Sequence, residues 1–160
     1  MEHLDDYAQR FANELFEAIP EWWQYVLDEF PEIFTKPVKG CLIVKVPAPV
    51  QVSSPLFGDW LLIDTCDGEV TVTFDYYHTH FDCFSDVPEE LGFREAIEFI
   101  QSFVKEEFCV VVTMDGDKWL GSTTVKPDEE PDLSWLKFPC ERVYIRSWKG
   151  TYDREYRVSQ

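Results

Sequence analysis

Apolar side chains recur at helical spacing at the start of the chain: Leu4, Ala8, Phe11, Leu15 and Ile19, widened by Tyr7, Ala12 and Phe16. A period near 3.6 gathers them on one face, so the spacing predicts an amphipathic helix that Pro20 ends. Residues 21–30 read as a second helix, with Trp22, Trp23, Val26 and Leu27 on or near one face and Pro31 closing it. The period then changes. Cys41-Leu42-Ile43-Val44-Lys45-Val46 is β-rich and stops at Pro47, and residues 47–55, with three prolines and two serines, read as a loop. Trp60-Leu61-Leu62-Ile63 leads through Cys66-Asp67-Gly68 into residues 69–75, where apolar and polar positions alternate. Asp-Gly supplies the positive φ that a tight turn needs, so this is a hairpin.

A third helix follows. Asp86 can cap it, Pro88 suits its first turn, and Glu89 completes a capping-box pattern. Its apolar stripe is Phe93, Ala96, Ile97, Ile100, Phe103 and Val104, and Gly92 weakens the first turn by about 1 kcal/mol against alanine. Residues 108–114 are apolar without alternation, which predicts a central strand covered on both faces. Asp115-Gly116 turns it into residues 118–125; 126–132 form an acidic loop; residues 140–148 and 151–158 are strands joined at Lys149-Gly150. No repeat and no separating linker interrupts this order. The expectation is a single domain over residues 1–160, of α+β class: N-terminal helices followed by a mostly antiparallel sheet with one long helix packed on it.

Composition narrows the function classes. Hydrophobic residues make up 45% and aromatics 16%, which excludes a chain disordered throughout. No run approaches the roughly 20 apolar residues of a membrane span. Glu2, Asp5 and Asp6 stand where a secretory signal has a basic start before its apolar run, so the expected location is cytoplasmic. Cys41, Cys66, Cys83, Cys109 and Cys140 are odd in number, widely spaced and without a CxxC pair. They read as scattered thiols of a reducing compartment, with disulfides the lesser reading.

Charge changes the picture most. Thirty-one acidic residues stand against fourteen basic ones, for a net −17. Residues 1–135 hold 28 acids and 8 bases, whereas residues 136–160 hold 3 acids and 6 bases. Such a field repels nucleic acid and speeds encounter with cationic proteins. The plainer alternative is that acidity keeps the protein soluble.

The densest functional stretch is Asp75-Tyr76-Tyr77-His78-Thr79-His80-Phe81-Asp82-Cys83. If the strand continues past Phe74, alternation puts His78, His80 and Asp82 on one side, together with Val70, Val72 and Phe74. Two imidazoles and a carboxylate could hold zinc, and a metal-binding or metal-dependent hydrolase domain centred on them is the alternative reading. Against it, His3 is the only other histidine, and a histidine pair hydrogen-bonded at a strand end explains the same residues. No GxSxG, GxGxxG or P-loop is present, and Cys83 near His80 in sequence is not thereby a catalytic pair. We expect no enzyme, no catalytic residue and no cofactor.

Trp119 and Trp148 sit beside hairpin turns, where tryptophan either covers a core or anchors a partner. Tyr77 alternates onto the polar face with Thr71, Thr73 and Asp75. The patterns Ile63-Asp64-Thr65 with Glu69 to Asp75 and His78-Thr79-His80-Phe81, Gly116-Asp117-Lys118-Trp119 with Gly121-Ser122, and Ile145-Arg146-Ser147-Trp148 with Gly150-Thr151-Tyr152 resemble small acidic immunity proteins of bacterial polymorphic toxin systems. The resemblance covers roughly residues 57–152 and leaves out the N-terminal helices. It implies a cytosolic inhibitor that binds one cognate, basic toxin domain and blocks its active site or substrate channel. It carries over no interface residue. The contacts expected from the residues themselves are Asp75, Tyr77, Asp82, Trp119, Asp128, Glu129, Glu130 and Trp148, with no nucleic acid and no membrane as partner.

Overall fold

In a computed structural model that describes residues 4–27, 39–50, 57–81, 88–136 and 140–158, the first helical period becomes α1 (Asp6–Ala18). Asp5 caps it: its carboxylate accepts the Ala8 N–H at 2.8 Å, satisfying one of the donors a helix leaves open at its start. Ala8, Phe11, Ala12 and Leu15 form its buried face, as the spacing requires. The second predicted helix is different. Pro20–Tyr25 is a short 3-10 helix, after which Val26 is extended and bridges Val44. Trp22 is buried and Trp23 points out, so the two tryptophans do not share a face. A six-residue turn begun by proline has too few internal hydrogen bonds to persist, and pairing to a strand satisfies the backbone instead. Residues 28–30 of the predicted helix lie outside the described residues.

The class is α+β, and the described residues form two four-stranded sheets where one sheet was expected. Cα proximity divides the chain into two compact units. The first takes residues 1–47, 60–73 and 78–99 and carries the sheet ordered β1-β2-β3-β4. Its strands are β1 (Ile43–Pro47), β2 (Trp60–Asp64), β3 (Val70–Phe74) and β4 (Tyr77–Phe81). β1 and β2 run antiparallel from Ile43↔Asp64 to Pro47↔Trp60. β3 alternates buried and half-buried positions, with Val70, Val72 and Phe74 inward. The long helix, α2 (Glu89–Val104), brings Phe93 against Tyr7 and Phe11 of this unit, with ring centroids 5.0 and 5.3 Å apart. Asp86, its expected cap, is outside the described residues.

The second unit takes residues 48–59, 74–77 and 100–160 and carries the sheet ordered β6-β5-β7-β8. These strands are β5 (Cys109–Asp115), β6 (Lys118–Val125), β7 (Arg142–Arg146) and β8 (Arg154–Arg157). β5 is paired on both edges and buried at every position before Asp115, as its unbroken apolar run predicts. Cys109, Val111, Cys140, Val143 and Ile145 pack together, and Leu133 and Leu136 lie on them. Separately, Phe74, Phe103 and Trp148 meet at centroid distances of 4.7 to 6.1 Å. At Gly116 and Gly150 the turns take φ of +57° and +72°, where a side chain would be strained.

Candidate interaction surface

The histidine pair is built by a turn the sequence did not announce. β3 ends at Phe74, the chain reverses through Asp75-Tyr76 with Asp75 at φ +54°, and β4 returns beside it. Cross-strand neighbours share a face. His80 therefore meets Thr71, and His78 and His80 stand on the exposed side, opposite Val70, Val72 and Phe74. This corrects the expectation from an unbroken strand. His80 Nδ1 lies 2.7 Å from Glu69 Oε1 and 3.1 Å from Thr71 Oγ1, and its ring meets His78 edge-on at 5.2 Å. Asp82 is outside the described residues. Among the described residues no three His, Cys, Asp or Glu side chains converge as metal ligands would.

The expected contact residues of the second unit separate into buried and exposed groups. Trp148, only 5% exposed, belongs to the aromatic cluster with Phe74 and Phe103 and presents nothing to a partner. Asp75 is equally withdrawn. Its side chain is 0% exposed, and Arg146 Nε lies 3.7 Å from Asp75 Oδ2 and 3.1 Å from Asp153 Oδ2. Arg146 stacks over Phe57 at 4.8 Å. Neither oxygen of Asp75 finds a donor of good geometry among the described residues. Burial pushes its pKa up to about 7, against the pull of Arg146 and the Gly58 N–H, with Asp153 and Asp59 adding to the rise.

Trp119 is exposed, at 42%, and stacks on Tyr76, which Ser122 holds through a 3.0 Å hydrogen bond to its carbonyl. Tyr77 is half-buried. Asp128, Glu129 and Glu130 are exposed. Arg154 fixes their loop by donating to the carbonyls of Pro127 and Glu129, at 3.0 and 2.9 Å, and Lys126 pairs with Glu129 at 3.5 Å.

The first unit holds a surface that sequence reasoning missed. An open groove of about 390 Å³ is lined by Glu14, Glu17 and Ala18 of α1 and Glu90, Arg94, Ile97 and Glu98 of α2. Four carboxylates face one guanidinium over a small apolar floor. Trp23, at 51% the most exposed of the large apolar side chains among the described residues, follows the same end of α1 and rests its ring edge-on against Phe16 at 5.3 Å. The signal was present: Glu14/Glu17 and Glu90/Arg94/Glu98 recur at three- and four-residue spacing, which stacks them on one helix face. What sequence could not supply was the meeting of the two helices.

No protein-family model, no curated protein and no solved structure matches the chain. No described helix is long and apolar enough to cross a membrane.

Proposed function

We propose that this protein is an immunity-type inhibitor that binds a basic protein domain, with the α1–α2 groove as its principal acidic contact. The observation that carries the reading is the placement of the acids. Glu17 occupies the last turn of α1, which holds no basic residue, although a helix C-terminus favours cations. Four glutamates then share one groove with a single arginine. Both features cost folding stability, and solubility alone could be met by acids placed elsewhere. A cationic partner removes both costs on binding.

Acids on a groove rim steer encounter and contribute little once screened, so affinity needs an apolar anchor. Trp23 is the exposed aromatic nearest in sequence to the groove, and tryptophan leads the residues found at binding hot spots. The test is co-expression with a toxic protein domain of basic charge encoded beside this chain in its native genome. Relief of that domain's toxicity, and a complex whose association slows as salt rises, uphold the proposal. Undiminished toxicity with no complex overturns it. Within the complex, Trp23→Ala should raise the dissociation rate by tenfold or more, about 1.4 kcal/mol or above, while lowering the unfolding midpoint only slightly through loss of the Phe16 contact.

A further inference from the structure

Two of the cysteines that look scattered in the sequence are brought together at the end of the first sheet. Leu42 and Thr65 extend the β1–β2 pairing by one step: Thr65 N–H donates to the Leu42 carbonyl at 3.1 Å, and Leu42 N–H donates to Thr65 Oγ1 at 2.9 Å. Cys41 precedes Leu42 and Cys66 follows Thr65, so their side chains leave the sheet at the same place. The two thiols are within hydrogen-bond contact. Cys41 is half-buried and Cys66 is buried, and both are thiols.

We propose that Cys41 and Cys66 form a modification site, a thiol pair that a low-molecular-weight disulfide such as oxidised glutathione converts into an intramolecular disulfide. The order of events follows from exposure. Cys41, the more accessible, loses its proton and attacks one sulfur of the reagent; the reagent's S–S bond breaks and one reagent thiolate leaves. Cys66 then loses its proton and attacks Cys41 Sγ, and the second reagent thiolate leaves. Two protein thiols are oxidised by two electrons, and the reagent is reduced to two thiols that take up the two protons. The second step is the slow one. Burial, the hydrogen bond with Cys41 and the neighbouring Asp64 carboxylate all push the Cys66 thiol up, so its thiolate is scarce. The rate of closure therefore climbs with pH, while the mixed disulfide on Cys41 precedes it.

The experiment uses the full chain, folded, with oxidised glutathione at pH 8, followed by thiol trapping and a double digest with trypsin and a glutamate-specific protease. That digest puts Cys41 in residues 40–45, Cys66 in residues 46–69 and Cys83 in residues 70–89, so each pairing has its own mass. The expected result is a 40–45/46–69 cross-link, reversed by dithiothreitol. The oxidised protein should melt about 5–10 °C higher, because the bond closes a loop of some 25 residues. Cys66→Ala should stop the reaction at the glutathione adduct of Cys41, and Cys41→Ser should leave Cys66 unmodified. A cross-link that joins either residue to Cys83, Cys109 or Cys140, or that appears only in denaturant, overturns the assignment. So does a folded chain in which Cys41 and Cys66 both stay reduced while other thiols react.

Discussion

Replacing Asp75 by asparagine isolates the least comfortable charge in the second unit. The carboxylate is fully buried, lies 3.7 Å from Arg146 and has no well-placed donor among the described residues. Its pKa rises from 3.8 to about 7, chiefly through burial. The sign follows from linkage. Below pH 3.8 both folded and unfolded chains hold the proton and the group contributes nothing. Between 3.8 and about 7 only the folded chain holds it, so stability falls as pH rises. Above 7 both are ionised and the penalty is constant. The rise corresponds to a ceiling of about 4 kcal/mol between pH 4 and pH 8.

Asparagine keeps the shape, tolerates φ +54° at least as well as aspartate, and carries no charge to desolvate. Arg146 keeps Asp153 at 3.1 Å as a counter-ion. Urea unfolding at intervals from pH 4 to 8 should show the wild type losing about 2–4 kcal/mol relative to Asp75→Asn across that range. Parallel curves would refute the reasoning. They would mean that water reaches the carboxylate or that Arg146 neutralises it in full.

Glu106 should behave with the opposite sign. Burial alone would raise its pKa, but hydrogen bonds from Thr151, Ser147 and Lys149 outweigh that and hold it below the ordinary value of 4.5. Glu106→Gln should cost about 1–3 kcal/mol at pH 7, and the difference should vanish as pH falls through the folded pKa, read by the same titration. Gly121→Ala would place a methyl 2.6 Å from the Trp135 ring. Trp135 is 40% exposed and can swing away, so the cost should be about 1–2 kcal/mol with a red shift in tryptophan emission; an unchanged spectrum would place Trp135 elsewhere.

Most of the fold was legible because most elements carry a clean period. α1 and α2 show helical stripes, β5 is apolar throughout, and Asp67-Gly68 and Asp115-Gly116 mark turns that are present. Two elements were misread for physical reasons. Residues 21–30 carry a helical apolar pattern, but tertiary pairing of Val26 with Val44 overrides a weak local preference. The Asp75-Tyr76 reversal has no glycine, and aspartate is one of the few residues that enters the left-handed region without one, so nothing marked it. That single reversal moved His78 and His80 to the exposed face. The contact residues were less legible still. A tryptophan beside a turn can face either way, and Trp119 is exposed where Trp148 is buried. The groove depends on two helices far apart in sequence, which periodicity describes one at a time.

Glu17→Lys separates acidity for solubility from acidity for binding. The substitution puts a cation in the last turn of α1, where the helix dipole welcomes it, and sets it among Glu14, Glu90 and Glu98 in place of a fourth carboxylate. The dipole contributes about 0.3–1 kcal/mol and relief of repulsion adds to it, so the variant should unfold at higher urea than the wild type. If the groove receives a basic partner, the same change should slow association several-fold at low salt, because encounter follows the field at the rim. The gap should close as salt shortens the screening length toward about 8 Å, and dissociation should change little. Stability and association thus move in opposite directions from one substitution. A chain that is acidic only to stay soluble gives the stability gain without the loss in rate, and that pairing of results would remove the groove from the binding surface.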